Sequence, residues 1–344
     1  MQDIKNYTRK QFQTWLAAHD IAPYRAGQVY KWIYLHQADT FDEMTNIAKP
    51  VRALLGETFS IGRMCIAKRE YSADGTCKYL FQLDDNHRIE SVWIPEEGHA
   101  TLCISTQVGC AQGCAFCRTA DMGFIRNLTP AEIIGQIRDI RQDTASSPLR
   151  LSNLVFMGMG EPLANYDNVL SAIDTITDGD CGLQFSTRRV TLSTAGLVPR
   201  IKTLGHETTI NLAVSLNATD NATRDRLMPV NKTYPIETLL AACRGYPLSN
   251  RRKITFEYIL IRGQNDTLQD AEQLARLLAP IKAKINLIPF NGHDQSPFQR
   301  PDDTVIEQFK QILHDRNYTV ITRLSKGQDI SAACGQLAVS SGVS

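Results

Sequence analysis

Apolar and polar residues at the start of the chain follow the repeat of an α-helix. Two segments, 8–19 and 25–36, place their large apolar residues three or four positions apart, so these residues share one helix face. The residues on the two faces are Phe12, Trp15, Leu16, Val29, Trp32 and Ile33. The pattern predicts two amphipathic helices that pack their aromatic faces into a small core.

A different pattern begins near residue 60, where short β-rich runs replace the helical repeat. The runs at 61–71 and 78–83 flank the turn dipeptide Asp74-Gly75, which predicts a hairpin that leads into a strand at 88–94. Further strands are predicted at 100–105, 154–157, 189–193, 210–216, 254–261, 285–289 and 319–324.

Helical segments separate these later strands. The clearest begins at Thr129, where Pro130 suits the first turn and Glu132 completes a capping box. Strands that alternate with helices predict parallel βα units, because parallel neighbours need a crossover connection. The sequence therefore indicates an α/β fold that follows a small helical N-terminal part.

Length and composition favour a globular protein of two domains. The chain has 344 residues, more than one domain usually contains, and 43% of them are hydrophobic, an ordinary fraction for a packed core. No apolar run reaches the length of a membrane span, and the first residues lack the pattern of a secretory signal. We therefore expect no membrane association and a cytoplasmic location.

Charge says little about the partner. The net charge of +1 gives no whole-chain indication of a nucleic acid. Basic clusters occur at Arg9-Lys10, Arg188-Arg189 and Arg251-Arg252-Lys253, and each is typical of an ordinary solvated surface. These clusters permit RNA binding without indicating it.

The most informative segment is Gly109-Cys-Ala-Gln-Gly-Cys-Ala-Phe-Cys-Arg118. Its cysteines, Cys110, Cys114 and Cys117, can direct three thiolates to one point, whereas a cubane iron–sulfur cluster is normally held by four. One iron would then stay open for another ligand. The alternative is structural zinc, which needs four Cys or His ligands, usually as two spaced pairs, and the chain offers no second pair. The spacing favours the cluster and leaves zinc open.

This loop resembles that of the radical S-adenosylmethionine (SAM) enzymes, in which an aromatic residue such as Phe116 precedes the last cysteine. In that family the open iron of a [4Fe-4S] cluster binds the amino and carboxylate groups of SAM. An electron delivered through the cluster then cleaves SAM to a 5′-deoxyadenosyl radical. The resemblance implies a partial (β/α)6 barrel, with the cluster loop after the first barrel strand.

A second segment, Gly158-Met-Gly-Glu-Pro-Leu163, follows the apolar run 154–157 directly. Its glycines allow close approach of the backbone, and a carboxylate at a strand end can hold an ammonium group. The segment looks like the one with which radical SAM enzymes bind the SAM amino group.

Longer stretches resemble one family of these enzymes, the RlmN-type dual-specificity RNA methyltransferases. The stretches are Leu102-Cys-Ile-Ser-Thr-Gln-Val-Gly-Cys110, Gly158-Met-Gly-Glu-Pro-Leu163, Arg188-Arg-Val-Thr-Leu-Ser-Thr194, Asn286-Leu-Ile-Pro-Phe-Asn291 and Asp329-Ile-Ser-Ala-Ala-Cys-Gly-Gln-Leu337. The resemblance covers nearly the whole chain. We place a helical N-terminal accessory domain with the following hairpin at 1–85, and we expect this domain to contact RNA. The radical SAM catalytic domain occupies 86–344.

The resemblance implies a reaction and its partners. The reaction is methylation at C2 of an adenosine in the peptidyl-transferase region of 23S rRNA and of the adenosine 3′ to the anticodon in certain tRNAs. The expected partners are these RNAs and an electron donor such as flavodoxin, and the expected state is a monomer. Carried over by motif, the expected SAM contacts are Gly160, Glu161, Ser193, Ser215, Leu216, Asn217 and Asn291. Asn217 departs from the pattern, because the family more often has His after Ser-Leu.

The resemblance also implies roles for two cysteines outside the loop. Adenine C2 is electrophilic, so it cannot accept a methyl cation from SAM. In the family, the cysteine that matches Cys334 is first methylated by one SAM, and a second SAM yields the radical that removes hydrogen from this methyl group. The methylene radical then adds to C2. Glu90, within Arg88-Ile-Glu-Ser-Val-Trp93, is expected to take the C2 proton, and Cys103 to release the product through a transient disulfide with Cys334.

Two alternatives stay open at this stage. The Cfr-type enzymes methylate adenine C8 and share the cluster, both cysteines and the chemistry, although Pro162 and the Pro289-Phe290 pair look more like the C2 enzymes. The second alternative is a noncatalytic, zinc-binding RNA-associated protein. The sequence does not say which tRNAs are substrates or which residues contact RNA.

Overall fold

Strands dominate the centre of the fold. The computed structural model describes residues 1–249, 251–292, 296–323 and 325–338. Within these ranges the strands are β1 (Gln2–Asp3), β2 (Phe59–Ser60), β3 (Cys65–Tyr71), β4 (Cys77–Gln82), β5 (Arg88–Glu96), β6 (His99–Cys103), β7 (Gln107–Gly109), β8 (Phe124–Asn127), β9 (Arg150–Phe156), β10 (Val190–Thr194), β11 (Asn211–Ser215), β12 (Ile254–Leu260), β13 (Ala283–Pro289) and β14 (Val320–Thr322).

Helices precede and separate the strands. They are α1 (Arg9–Ala18), α2 (Arg25–Tyr34), α3 (Lys49–Thr58), α4 (Arg118–Asp121), α5 (Pro130–Asp143), α6 (Tyr166–Thr177), α7 (Val198–Glu207), α8 (Asn221–Leu227), α9 (Ile236–Arg244), α10 (Leu268–Leu278) and α11 (Asp303–Asp315). Capping boxes open three of them, at Thr8, Thr129 and Thr267, which confirms the predicted start of α5. No helix in the described ranges combines the length and apolarity that crossing a bilayer requires.

One ten-stranded sheet forms the scaffold, in the order β14-β13-β12-β11-β10-β9-β6-β5-β4-β3. Strands β3 to β6 are antiparallel neighbours, and every pairing from β6 through β9 to β14 is parallel. The predicted helices, hairpin and parallel βα units are therefore confirmed, with ends that differ by a few residues. Leu324, at the end of the last predicted strand, lies outside the described residues.

The N-terminal helices pack onto the outside of the sheet through α5. The side chain of Arg138 on α5 is fully buried, and its Nε donates to the carbonyl of Ile33 at 3.1 Å. Its Nη2 donates to Asp39 at 2.8 Å. The first helices and the sheet share one hydrophobic core. Strands β3 and β4 continue the barrel sheet, and the domain boundary near residue 85 stays a prediction.

The parallel strands all end at one edge of the sheet, where βα proteins carry their chemistry. Strand β6 ends at Cys103, β10 at Thr194 and β11 at Ser215. The segment 158–163 follows β9, and the cysteine loop follows β6 after the short strand β7. Residues far apart in the sequence therefore meet at this edge.

Candidate active site

The cysteine loop is fixed by hydrogen bonds from both of its ends. The main-chain N–H of Cys110 donates to the carbonyl of Gly123 at 2.9 Å, and that of Arg118 donates to Gly335 at 2.8 Å. The second bond connects the loop to residues 325–338, the C-terminal segment, which carries Cys334. All three thiols of the loop line one cavity of about 140 Å³.

The three thiols lie close enough for their charges to interact. Burial raises the pKa of each thiol, that of Cys110 to about 12, and the neighbouring Cys117 and Cys110 raise the pKa of Cys114 further. Across the described ranges, no three His, Cys, Asp or Glu side chains are grouped tightly enough to hold one metal ion. In a cubane each thiolate binds its own iron, so a spread arrangement around one cavity fits a cluster. Bound iron would also favour the thiolates that burial disfavours.

Glu161 faces the three cysteines across the same cavity. Its Oε1 accepts bonds from the N–H of Leu163 at 3.0 Å and from Thr194 Oγ1 at 2.8 Å, and its Oε2 accepts from the N–H of Ala195 at 2.7 Å. Burial raises the pKa of this carboxyl, and the three donors lower it. A carboxylate has about four lone-pair sites, so one remains for an ammonium group. This arrangement fits the predicted contact with the SAM amino group.

A second buried carboxylate, Glu257 on β12, lies beside the predicted contacts Ser193 and Ser215. Ser193 Oγ donates to Glu257 Oε2 at 2.6 Å, and Ser215 Oγ lies 3.5 Å from the same oxygen. All three line the cysteine cavity, so they suit the hydroxyl groups or the positive charge of SAM. Glu257 was not among the residues predicted from the sequence, although a lone Glu within the apolar run Ile254–Leu260 is a usable signal.

Arg224, which the sequence also did not reveal, holds the strand ends around the cavity together. Its side chain is fully buried, and its Nε donates to the carbonyl of Leu216 at 2.9 Å. Its Nη2 donates to Ala195 at 2.8 Å and to Ser215 at 3.1 Å. Burial lowers the pKa of this guanidinium to about 10. The residue fixes the backbone that presents Ser215 and Ala195.

Three of the predicted SAM contacts, Leu216, Asn217 and Asn291, are not among the residues that line the cysteine cavity. Leu216 is buried and pairs its N–H with the carbonyl of Glu257 at 3.0 Å. Asn217 adopts a positive φ of 57° and accepts from the N–H of Ile259 at 2.8 Å. Asn291 lies near the C-terminal segment, where Gln328 donates to its Oδ1 at 3.3 Å. Gly160, by contrast, lines the cavity with Glu161.

Cys103 and Cys334 line a second, larger cavity of about 460 Å³ inside the barrel. Burial raises the pKa of both thiols, and Cys334 raises that of Cys103 further, so the two sulfurs interact. The side chain of Cys334 is accessible to solvent and opens into this cavity. Cys334 also lines the cysteine cavity, together with Met157 and Ile288. The C-terminal segment therefore places one thiol between the two cavities.

Glu90 lies on β5, on the same face of the sheet as Cys103. The register pairs Val92 with Cys103, and Glu90 lies two residues before Val92 on β5, so its side chain is on the same face. Its side chain is buried, and its Oε2 accepts from the N–H of Ala338 at 3.0 Å. The C-terminal segment therefore contacts both the predicted base and the cysteine loop.

Comparison with known proteins agrees with this geometry. Residues 104–278 match the model of the radical SAM superfamily, and residues 2–61 match the model described as the ribosomal RNA large subunit methyltransferase N-terminal domain. A dual-specificity RNA methyltransferase RlmN from Desulfosudis oleivorans is 69% identical over 337 residues, which span 98% of this chain and 91% of that protein. The chain belongs to the RlmN family.

Two further proteins show a similar relationship to this chain. The RlmN protein of Geobacter sulfurreducens is 53% identical over 98% of this chain and 92% of its own length. The crystal structure of a radical SAM methyltransferase from Sphaerobacter thermophilus superposes with a TM-score of 0.91 at 40% identity. That alignment covers 98% of this chain and 99% of the other. The predicted radical SAM fold with a helical N-terminal region is confirmed.

Membership also bears on the cofactors. The radical SAM family implies a [4Fe-4S] cluster and SAM, and the groups that line the cavity, among them three cysteines, Glu161 and Glu257, are suitable ligands for both. Cys110, Cys114 and Cys117 would hold the cluster. The individual roles of the site residues stay predictions.

Proposed function

We propose that this protein forms 2-methyladenosine in 23S rRNA, in the peptidyl-transferase region, and in tRNA, 3′ of the anticodon. The observation that carries the proposal is the position of Cys334, which lines both the cysteine cavity and the larger cavity that contains Cys103. A methyl group on this sulfur would lie between the SAM side and a space for the target base. The family membership supports RNA as the substrate.

The cavity suits chemistry that an ordinary methyl transfer cannot perform. Adenine C2 is electrophilic, and a polar methyl transfer needs a nucleophile. When bound, the cluster and SAM supply a radical that can remove a hydrogen atom from a methyl group. Two SAM molecules are used per turnover, one to methylate Cys334 and one to supply the radical. Glu161, Ser193 and Ser215, which line the cavity, orient SAM.

The two barrel cysteines divide the remaining work. The sulfur of Cys334 carries the methyl group and, after hydrogen removal, bonds through its methylene to C2 of the base. Cys103 then attacks the sulfur of Cys334, which forms a disulfide and breaks the bond between that sulfur and the methylene carbon. The proton lost by the Cys103 thiol completes the methyl group on the base. Their shared cavity supports this direct attack. Reduction of the disulfide returns both thiols for the next cycle.

Glu90 takes the C2 proton of the adduct, and the bound cluster would accept the one electron left on the base. Its carboxylate is buried on the barrel face that carries Cys103, and burial raises its pKa, as a base that works near neutral pH requires. The target base must leave its stack to reach this depth, so unpaired RNA segments are the favoured substrates.

We further propose that the enzyme acts in the cytoplasm as a monomer and receives electrons from a donor such as flavodoxin.

Mass spectrometry of nucleosides tests the proposal. Ribosomal RNA and tRNA are prepared from a deletion strain that carries the wild-type gene, the Cys334→Ala gene or no gene. We expect 2-methyladenosine only with the wild-type gene. Appearance of 8-methyladenosine instead would place the activity with the Cfr-type enzymes, and unchanged nucleosides in all three strains would contradict the proposal. Iron and sulfide analysis of anaerobically purified protein separates a cluster enzyme from a zinc protein.

A further inference from the structure

A row of alternating charges crosses the antiparallel part of the sheet and ends at Glu90. Lys68 and Glu70 lie on β3, Lys78 lies on β4, and Glu90 lies on β5. Lys68 Nζ is 2.8 Å from one Glu70 oxygen, and Lys78 Nζ is 3.0 Å from the other. Lys78 Nζ is also 3.2 Å from Glu90 Oε1. One ammonium group therefore joins two carboxylates on different strands.

Exposure falls steadily along this row. The side chains of Lys68 and Glu70 are 61% and 31% exposed, whereas those of Lys78 and Glu90 are 8% and 5% exposed. A buried ion pair rarely stabilises a fold more than a well-packed apolar pair, because both charges lose their water. Stability alone therefore gives no reason to bury Lys78 and Glu90 in the barrel wall.

We propose that Lys78 is a positioning residue: it keeps the Glu90 carboxylate ionised and fixed in place. Glu70 connects the pair of Lys78 and Glu90 to solvent. This inference rests on the proposed function, because it requires Glu90 to be the base. Lys78 holds Oε1 of Glu90, and the N–H of Ala338 holds Oε2. With both oxygens held, the carboxylate has a fixed direction.

The same contacts give the proton a route out of the barrel. Glu90 takes the proton from C2, and Lys78 passes one of its own protons to Glu70 as it accepts the proton from Glu90. Glu70, which is partly exposed, then releases a proton to water. The three groups return to their starting charges, and one proton has left the site.

The surroundings of Glu90 fix the sign of the effect on pH dependence. Burial raises its pKa most, Lys78 on β4 lowers it, the Ala338 N–H lowers it, and Glu70 on β3 raises it. Cys103 on the neighbouring β6 is held neutral, because burial raises its own pKa. Loss of Lys78 therefore raises the pKa of Glu90 further. The base then stays protonated to higher pH, and the acid limb of the rate profile moves upward.

The test measures single-turnover RNA methylation against pH with reconstituted holoenzyme and RNA substrate. For Lys78→Met we expect the acid limb to move up by about 1–3 pH units, the usual effect of one nearby opposite charge. Lys78→Arg keeps the cation and should restore the wild-type limb. Lys68→Met is the matched control, because Lys68 bonds to Glu70 and not to Glu90 among the described contacts. Formation of 5′-deoxyadenosine, which precedes the proton step, should be unchanged in all variants.

Glu70→Gln supplies a second test that does not depend on how Lys78→Met folds. Removal of this negative charge should move the acid limb downward and lower the plateau rate, because the proton loses its exit. Acid limbs that stay in place in both Lys78→Met and Glu70→Gln would overturn the inference.

Glu90→Gln separates this inference from the proposed function. We expect it to lose product and keep deoxyadenosine formation. Full product formation by Glu90→Gln would remove both the base assignment and the role of Lys78. Failure of the wild-type enzyme to form 2-methyladenosine would instead refute the proposed function itself.

Discussion

Gly160→Ala should disable the SAM site through a steric clash that the structure defines. Gly160 has a φ of +100°, which residues with a Cβ rarely adopt. A Cβ added there would lie 2.5 Å from Cβ of Gln107 and 2.8 Å from its backbone nitrogen. Gln107 cannot simply rotate away, because part of the clash is with its main chain. Its side chain also accepts the N–H of Glu161 at 2.8 Å.

Two effects of Gly160→Ala lower the free energy of unfolding, and the expected change is their sum. A positive φ costs a residue with a Cβ about 1–2 kcal/mol. Forcing an extra carbon into a packed site costs about 1–3 kcal/mol more. We therefore expect Gly160→Ala to lower the unfolding free energy by about 2–5 kcal/mol. The displaced backbone would also move Glu161, so SAM binding should weaken more than stability alone predicts.

Gly98→Ala is the matched control. Gly98 has a φ of +73°, but a Cβ there would meet no atom within 4 Å. It lies in the turn between β5 and β6, at the opposite end of the strand from Cys103. This variant should therefore bear only the backbone cost of about 1–2 kcal/mol and bind SAM normally.

Two measurements decide the comparison. Urea unfolding of the apoprotein gives the stability difference, and equilibrium dialysis of the reconstituted holoenzyme gives SAM affinity at a verified iron content. Equal losses of stability in the two variants would show that the clash at Gln107 is relieved without cost. Normal SAM affinity in Gly160→Ala would show that this glycine does not shape the SAM site.

Further predictions address the cysteines. Cys114→Ala should lose the cluster and cleave no SAM, as iron analysis and deoxyadenosine assays would show; unchanged iron with normal cleavage would refute the radical assignment. Cys103→Ala should still methylate Cys334 and add it to RNA but fail to release the product, so RNA should copurify covalently attached. Cys334→Ala, alone or combined with Cys103→Ala, should give neither adduct nor product. Normal turnover without an adduct in Cys103→Ala would show that Cys103 is only a buried thiol.

The sequence by itself determined the local parts of this protein. Capping signals at Thr129, helical periodicity and the Asp74-Gly75 turn act within a few residues, so they fixed helices, hairpin and strands before any packing was known. The cysteine loop is also local, because Cys110, Cys114 and Cys117 lie within eight residues. Resemblance of whole motifs supplied the family, which the comparisons confirm.

Only the tertiary structure brought distant side chains into contact. Glu257 meets Ser193 and Ser215 because β10, β11 and β12 are adjacent, and a register shift of one residue would turn any of them away from the cavity. The contact between Lys78 and Glu90 depends in the same way on the pairing of β4 with β5.

Burial is the second property that the sequence could not give. Asn217 matches the position of a SAM contact in the sequence, but in the folded chain its side-chain oxygen accepts a hydrogen bond from the N–H of Ile259. The charges of Glu90, Lys78 and Arg224 are ordinary in the sequence, and their removal from water makes each depend on specific partners. Local patterns follow from the covalent chain, whereas contacts and solvent exclusion exist only once the strands have assembled.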